Sequence, residues 1–270
     1  MRLAIDHTTH YRFSGPVTQG LQRLRLTPKT SAGQSIVSWT IHLEGARRQV
    51  EYDDQNANHV TLISFEPGTS DVMIRCEGVV ETNDKSGIVG RHAGFLPLWH
   101  FLQQTELTAA GPRVRALLAG LAGNADPLAR LHTLSVMVRG AVEYAAGFTD
   151  SATNAEAVLA AGRGVCQDHA HVFIGAARAL GIPARYVSGY LMMDDRIEQE
   201  AGHAWAEAMV DGLGWVGFDI SNGISPDPRY VRVATGRDYR DAAPITGIRY
   251  GAQGESMQVT LAVQQQRAEQ

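Results

Sequence analysis

The stretch "GRGVCQDHAHVFIGAARALGIPARY", residues 162–186, decides the fold, because it places a cysteine between a glycine-rich approach and a single amphipathic helix. After Cys166, apolar residues recur at three- and four-residue spacing, a pattern that predicts a helix. Gly181 and the following Ile182-Pro183 predict where that helix ends. Cys166 is therefore expected at the helix N-terminus or within one turn of it.

A cysteine at that position is suited to act as a nucleophile. The unpaired backbone N–H groups and the positive end of the helix dipole favour a thiolate, and the same N–H groups can bind an oxyanion. Gly162 and Gly164 allow a sharp turn into the helix and leave room for a substrate to reach the sulfur. On position alone, the alternative is a buried cysteine that only packs.

A thiolate nucleophile also needs an imidazole that moves the proton and a group that orients this imidazole. His203 begins the predicted strand "HAWAEAMV", and Asp219 ends the predicted strand "WVGFD". A hairpin centred on Asp211, with a three- or five-residue loop, would place His203 directly opposite Asp219. In that register Trp205 faces Gly217. A two-residue turn would instead place the imidazole and the carboxylate on opposite faces, and the sequence leaves the register open.

Residues 1–95 predict an all-β domain, because apolar and polar residues alternate in segments that turn residues separate. A β-sandwich is the simplest architecture for them. Residues 90–105 are apolar and aromatic without a clear period, so we expect a packed connector there. The alternating segments are 3–11, 21–28, 35–43, 59–65 and 71–82.

Residues 96–270 predict a second domain, in which helices precede an antiparallel sheet, so that the chain as a whole is α+β. Asp126 is the expected N-cap of one helix, with Pro127 in its first turn. A shorter helix has Thr153 and Glu156 at capping-box spacing and Gly162 as its stop. Residues 229–250 show no clear pattern. Helices are predicted within 111–123, 126–146 and 153–162, and strands within 183–193, 203–210, 215–220 and 256–266.

Composition excludes several functions. The net charge of -4 and the scattered Lys and Arg residues argue against a nucleic-acid partner or an anionic membrane surface. No signal peptide or membrane span is apparent, so a cytoplasmic location is expected. Cys76, on the core face of a predicted strand, and Cys166 are expected to be free thiols.

No metal and no cofactor are expected. One short helical run cannot aim Cys166, Asp168, His169 and His171 at a single point, and no calcium-loop pattern is present. The sequence also lacks a phosphate-binding loop and a dinucleotide fingerprint. His171 is therefore interpreted as a packing residue.

The quoted stretch resembles the transglutaminase-like superfamily, a branch of the papain-like cysteine enzymes with the order Cys, His, Asp along the chain. The similarity continues in "TNAEAVLAAGRG" (153–164) and "GHAWAEAMVDGLGWVGFDISNG" (202–223). It extends into "YRFSGPV", "LRLTP" and "DDQNANHV", which resemble the N-terminal β-domain of bacterial members. The resemblance implies Cys166 as nucleophile, His203 as general base and acid, and Asp219 as the group that orients His203.

Two departures from the family pattern concern substrate fit. Ile220 and Ser221 follow the motif aspartate where Pro-Thr is expected, and His169 stands where an aromatic residue is more usual. We expect the backbone N–H groups of Cys166 and Gln167 to form an oxyanion site. The substrate cleft is expected to include Gln167, Gly164 and Trp205, with Trp205 as a pocket wall or a core residue.

The leading hypothesis is a cysteine-dependent acyl-transfer enzyme that acts on peptide or isopeptide amide bonds through a thioester. Hydrolysis by a peptidase or amidase is favoured, and amine transfer by a transglutaminase is the alternative. A non-catalytic module that retains the cleft for peptide binding is a hypothesis of another class. A third is an assembly protein whose sandwich domain mediates dimerisation, so a homo-oligomer is possible. The expected partner is a peptide or protein substrate.

Overall fold

A computed structural model describes residues 1–121, 126–252 and 254–266. The strands of the first part are β1 (Arg2–Phe13), β2 (Gln19–Leu24), β3 (Gln34–Glu44), β4 (Ala46–Asp53), β5 (His59–Phe65), β6 (Asp71–Thr82) and β7 (Ile88–Gly90). The helical part has a 3₁₀ turn (Leu98–Leu102), α1 (Pro112–Ala119), α2 (Pro127–Ala141), β8 (Glu143–Tyr144), α3 (Ala155–Ala161), β9 (Arg163–Gly164) and α4 (Cys166–Ala179). The rest comprises β10 (Ala184–Leu191), β11 (Glu198–Gln199), β12 (His203–Val210), β13 (Gly214–Phe218), β14 (Tyr230–Gly236), α5 (Tyr239–Ala242), β15 (Ile245–Tyr250) and β16 (Glu255–Gln265).

Two sheets form the predicted sandwich. One has the strand order β11-β16-β1-β6-β3 and the other the order β15-β2-β5-β4. The alternating residues of β1 and β6 meet those of β2 and β5 in a shared core, where Phe13 packs against Phe65 with 5.7 Å between the ring centroids. Cys76 is fully buried in this core, as its position on the strand predicted. Burial raises the pKa of its thiol to about 12.

The last two strands of the chain complete the sandwich. β16 pairs with β1 over its whole length, from Leu3 opposite Gln265 to Phe13 opposite Glu255. β15 pairs with β2. The predicted strand at 256–266 is thus present, but its partners are N-terminal strands. The domain boundary near residue 95 stays a prediction, and any such division must assign β15 and β16 to the sheets of the N-terminal region.

A third sheet, in the order β14-β10-β12-β13-β7, lies between the helices and the sandwich. On one face, helix α4 packs against β12. The small side chains of Ala204, Ala206 and Ala208 there let the helix approach the sheet closely. On the other face, Tyr190 and Val231 pack with residues of β1 and β16. Every residue of β10 is therefore buried. The arrangement confirms the predicted α+β class.

The helix starts at Asp126 and Cys166 follow the sequence, but the helix predicted over 126–146 ends at Ala141, because Glu143 and Tyr144 form the short strand β8. Asp126 caps α2 by accepting hydrogen bonds from two backbone N–H groups, and Gly162 ends α3 with a φ of 64°. The N-cap of α3 is Asn154, so the predicted capping box beginning at Thr153 is wrong. The carboxylate of Glu156 instead accepts hydrogen bonds from backbone N–H groups at the start of α1. Residues 122–123 of the predicted first helix lie outside the described residues.

Within the described ranges, no helix has both the length and the apolar character needed to cross a membrane. The cytoplasmic location stays a prediction.

Candidate active site

Helix α4 begins at Cys166, as predicted, and the segment just before it holds the cysteine in place. The buried carboxylate of Asp168 accepts hydrogen bonds from the Val165 N–H at 2.8 Å and from the Thr149 hydroxyl at 2.6 Å. A Cβ on Gly164 would lie 2.7 Å from both Cβ and Oδ2 of Asp168, closer than atoms can approach. Gly164 is thus buried beneath Asp168, and its missing side chain lets the chain fold tightly into the helix.

The start of α4 leaves two backbone donors available. Because the first residues of a helix have no carbonyl one turn behind them, the N–H groups of Cys166 and Gln167 need an outside acceptor. In the part of the chain that the structure describes, neither donates a hydrogen bond to the protein. Cys166 itself is partly exposed. Its sulfur and both donors therefore lie where a carbonyl group can meet them.

His169, one turn further along, ties this helix to its neighbours. Its Nδ1 lies 2.9 Å from the carbonyl oxygen of Val165, and its Nε2 lies 2.9 Å from that of Val142. Tyr144 stacks on its ring at 6.2 Å between centroids and is 57% exposed. His169, which departs from the family pattern, is thus a buried structural residue. The exposed Tyr144 ring packs on it beside the start of α4.

The predicted imidazole and carboxylate meet. The Nε2–H of His203 donates to Oδ2 of Asp219 at 2.6 Å, and Asp219 is fully buried. Because Asp219 occupies Nε2, Nδ1 is the ring nitrogen left to face Cys166, which lies close enough to raise the pKa of His203. The structure therefore brings Cys166, His203 and Asp219 together, with His203 between the other two.

The hairpin that aligns them differs from the predicted register. Ala206 pairs with Phe218, so the turn is a three-residue loop centred on Gly212 instead of Asp211. Glu207, not Trp205, faces Gly217. His203 and Asp219 are accordingly diagonal neighbours, not directly opposite. They still share a face, because the shift is two residues and preserves the alternation of the strand.

Asp219 has further partners that the sequence did not reveal. Oδ2 also accepts from the Tyr230 hydroxyl and from Nδ2 of Asn222, each at 2.7 Å. Oδ1 accepts from the Ser221 hydroxyl at 2.7 Å and from the Asn222 N–H at 3.1 Å. Ser221, noted as a departure from the expected Pro-Thr, is thus a ligand of the carboxylate. The Ser-Asn-Gly turn after the aspartate was the available sequence indication.

These contacts set the charges of the pair. Burial of the imidazole lowers the pKa of His203, but the hydrogen bond to Asp219 and the nearby Cys166 outweigh this effect and raise the pKa well above its ordinary value. Burial raises the pKa of Asp219, yet its donors, with His203 first among them, hold that pKa well below its usual range. The geometry therefore stabilises an imidazolium beside an ionised carboxylate.

Trp205 supports the imidazole from behind. Its ring stacks on His203 with 6.2 Å between centroids and packs edge-on against Tyr230. It is only 2% exposed, so it acts as a buried wall behind His203. Two arginines of this region are also buried: Arg178 donates to several backbone carbonyls, and Arg185 pairs with Glu207.

Over the described residues, no group of three or more His, Cys, Asp or Glu side chains is arranged to hold a metal ion. His171 is fully buried and accepts a hydrogen bond from the Tyr239 N–H. Its role is therefore packing, as predicted.

Comparison with known proteins agrees with this geometry. The family model described as the transglutaminase-like superfamily matches residues 115–220, and that of the bacterial transglutaminase-like N-terminal region matches residues 3–81. An uncharacterized protein of Mycobacterium leprae is 29% identical, covering 97% of this chain and 98% of its own length. One of Mycobacterium tuberculosis is 32% identical, covering 92% of this chain and 88% of its own length. A crystal structure from Cytophaga hutchinsonii, provisionally described as a cysteine protease, is 22% identical with a TM-score of 0.79, covers 100% of this chain and 92% of its own, and shows the fold.

Proposed function

Because the chain belongs to the transglutaminase-like superfamily, we propose that it is a cysteine-dependent enzyme that transfers acyl groups from peptide or isopeptide amides through a thioester. The observation that carries this proposal is the hydrogen-bonded pair His203–Asp219 beside Cys166, which lies at the open end of a buried helix. Each member has the partner that its role requires.

In the first step the sulfur of Cys166, as the thiolate, attacks the carbonyl carbon of the amide, and the C=O electrons move onto oxygen. The N–H groups of Cys166 and Gln167 stabilise this oxyanion by donating hydrogen bonds. The imidazolium of His203 then gives its Nδ1 proton to the leaving nitrogen, the C–N bond breaks, and a thioester remains. Asp219 keeps the ring oriented through Nε2 and stabilises its positive charge.

In the second step an acceptor cleaves the thioester. His203 removes a proton from the acceptor, the acceptor attacks the carbonyl carbon, and the sulfur leaves as a thiolate. We propose water as the acceptor, because water needs no binding site of its own, and the products are then an acid and an amine. Tyr144, exposed beside Cys166, offers an apolar wall for a peptide side chain. Amine transfer uses the same thioester and differs only in the acceptor.

The first test measures the reactivity of Cys166. Iodoacetamide is added at pH 6 to wild type and to His203→Ala, and labelled peptides are quantified by mass spectrometry. Cys76 is an internal control, since it is buried in the sandwich of the same molecule. We expect rapid labelling of Cys166, at least about tenfold slower labelling in His203→Ala, and none of Cys76. Equal rates at Cys166 in both proteins would contradict a His-paired thiolate.

The second test identifies the acceptor. Glutamine-containing peptides and isopeptides are incubated in ¹⁸O-water with and without a small primary amine, and Cys166→Ser is the matched inactive variant. Hydrolysis leaves ¹⁸O in the new carboxyl group, whereas amine transfer gives an adduct of higher mass. A faster adduct would make the protein a transglutaminase. No turnover of any substrate, with Cys166 inert to iodoacetamide, would favour the peptide-binding module.

A further inference from the structure

A cavity of about 630 Å³ opens between the sandwich and the third sheet, β14-β10-β12-β13-β7. The three residues of the proposed triad do not line it. Its walls are the loop after β2, the turn between β4 and β5, the segment after β7, and side chains from β10 and β14. The cationic side chains among its walls are Lys29, Arg91, Arg185 and Arg232.

The positive charge of this cavity is only partly balanced. Nε of Arg185 and Nε of Arg232 each donate to Glu207 at 2.6 Å, so one fully buried carboxylate serves two guanidinium groups. Asp53, the acidic residue in the wall, is largely exposed and hydrogen-bonded to His59. Cations therefore outnumber carboxylates around the cavity.

Lys29 has no carboxylate within ion-pair distance in the described part of the chain. Its ammonium donates to two neutral oxygens, the Asn56 carbonyl at 2.8 Å and the Thr235 hydroxyl at 3.0 Å. Burial, together with the nearby Arg232 and Arg185, lowers the pKa of Lys29 to about 6. The charged groups that act on it from the surrounding elements are Arg185 of β10, Glu207 of β12, Arg232 of β14 and Asp54 of the β4–β5 turn.

Asn56 supplies a second, independent observation. Its side-chain Nδ2 and Oδ1 are both buried, and neither has a hydrogen-bond partner among the described residues. Asn56 lines the same cavity. Buried amide groups in proteins are normally paired, and a turn of this side chain towards the cavity would give the amide a partner on a bound ligand.

We propose that this cavity binds a small molecule carrying at least two oxyanion groups, either phosphates or carboxylates, held by Lys29, Arg91 and Arg232 and by the Asn56 amide. Planar guanidinium groups suit both kinds of oxyanion. A bound anion would also restore the proton to Lys29, because it supplies the negative charge that the protein lacks at this position.

The experiment titrates the full chain with pyrophosphate and, separately, with citrate by isothermal titration calorimetry. Measurements at pH 7 in two buffers of different ionisation enthalpy, at equal ionic strength, give the number of protons taken up. We expect saturable binding with proton uptake in wild type. The tighter of the two probes identifies the oxyanion as phosphate or carboxylate.

Variants assign the site. Lys29→Met is expected to lose the proton uptake, and Arg91→Ala, at an exposed position, to bind at least about tenfold more weakly. Arg47→Ala removes an exposed arginine that pairs with Glu66 and should bind like wild type. If Lys29→Met does not fold, Arg91→Ala still tests the site. Absence of saturable binding by both probes, or wild-type binding by Arg91→Ala, would overturn the proposal.

Discussion

Replacing Asp219 by asparagine tests the proposed mechanism most directly, because it keeps the shape and removes the charge. The carboxylate accepts five hydrogen bonds. An amide that keeps its oxygen towards His203 must point its nitrogen at the Asn222 N–H, which is also a donor. At least one hydrogen bond and the ion pair with His203 are therefore lost. We expect the free energy of unfolding to fall by about 2–4 kcal/mol.

The effect on Cys166 should depend on pH. Without the carboxylate the pKa of His203 falls, so the imidazolium beside the sulfur is lost near neutral pH. We expect iodoacetamide to label Cys166 about 10²- to 10⁴-fold more slowly at pH 6, and the deficit to shrink as the pH rises and any thiol ionises. Stopped-flow or quenched labelling from pH 5 to 9, with urea unfolding at each pH, measures both effects.

Asp227→Asn is the matched control. Asp227 accepts hydrogen bonds from Arg229 close to the same turn but does not contact His203. This variant should label like wild type at every pH. If Asp219→Asn also kept the wild-type pH profile, the carboxylate would not control the charge of His203, and the reasoning would be refuted even if the variant were less stable.

Three other predictions follow from contacts of the same region. Urea unfolding of His203→Ala should show the largest loss of unfolding free energy at about pH 4–6.5, because a group with a raised pKa stabilises the fold most when it is protonated. The loss should shrink as the pH rises through the raised folded-state pKa of His203. A loss that grows from pH 5 to 9 would contradict a raised pKa. Tyr230→Phe removes one hydrogen-bond donor to Asp219, so urea unfolding should show a loss of about 1–2 kcal/mol of unfolding free energy and kcat should fall by less than about tenfold. An unchanged stability would show that this hydrogen bond contributes nothing. Gly164→Ala should lower the unfolding free energy by about 1–3 kcal/mol, because the added Cβ clashes with Asp168. Gly140→Ala in α2, where a Cβ meets no atom within 4 Å, should instead raise it by about 0.5–1 kcal/mol. If thermal unfolding showed Gly164→Ala to be the more stable variant, the clash would be excluded.

The fold could be predicted largely because its buried elements have strong periods. The segments of β1 and β6 alternate cleanly, and the helix after Cys166 begins and ends where its glycines indicate. The missed strand β14 is almost wholly buried and therefore does not alternate. Two other missed strands are exposed: nearly every residue of β4 lies at the surface, and β15 is mostly exposed or half-buried. Such strands have no buried face to impose an alternating pattern, so the sequence carries little trace of them.

The candidate site was predictable in its residues but not in its register. Only the parity of the hairpin matters for placing His203 and Asp219 on one face, and a three-residue loop around Gly212 preserves it. Tyr230 was missed because it lies after a turn and on another strand, and no local pattern links it to Asp219. The burial of Arg178 could not be predicted either, since backbone carbonyls that satisfy it come from distant segments.

The pairing of β1 with β16 also sets an order of events during synthesis. β1 hydrogen-bonds with β6 on one side and β16 on the other, and about 250 residues separate β1 from β16 along the chain. Until residues 255–265 have been made, one edge of β1 stays open and can pair with another chain. The third sheet packs against these strands, so it too lacks part of its support until then. We therefore expect a nascent chain of this protein to be most prone to aggregation before residues 255–265 emerge.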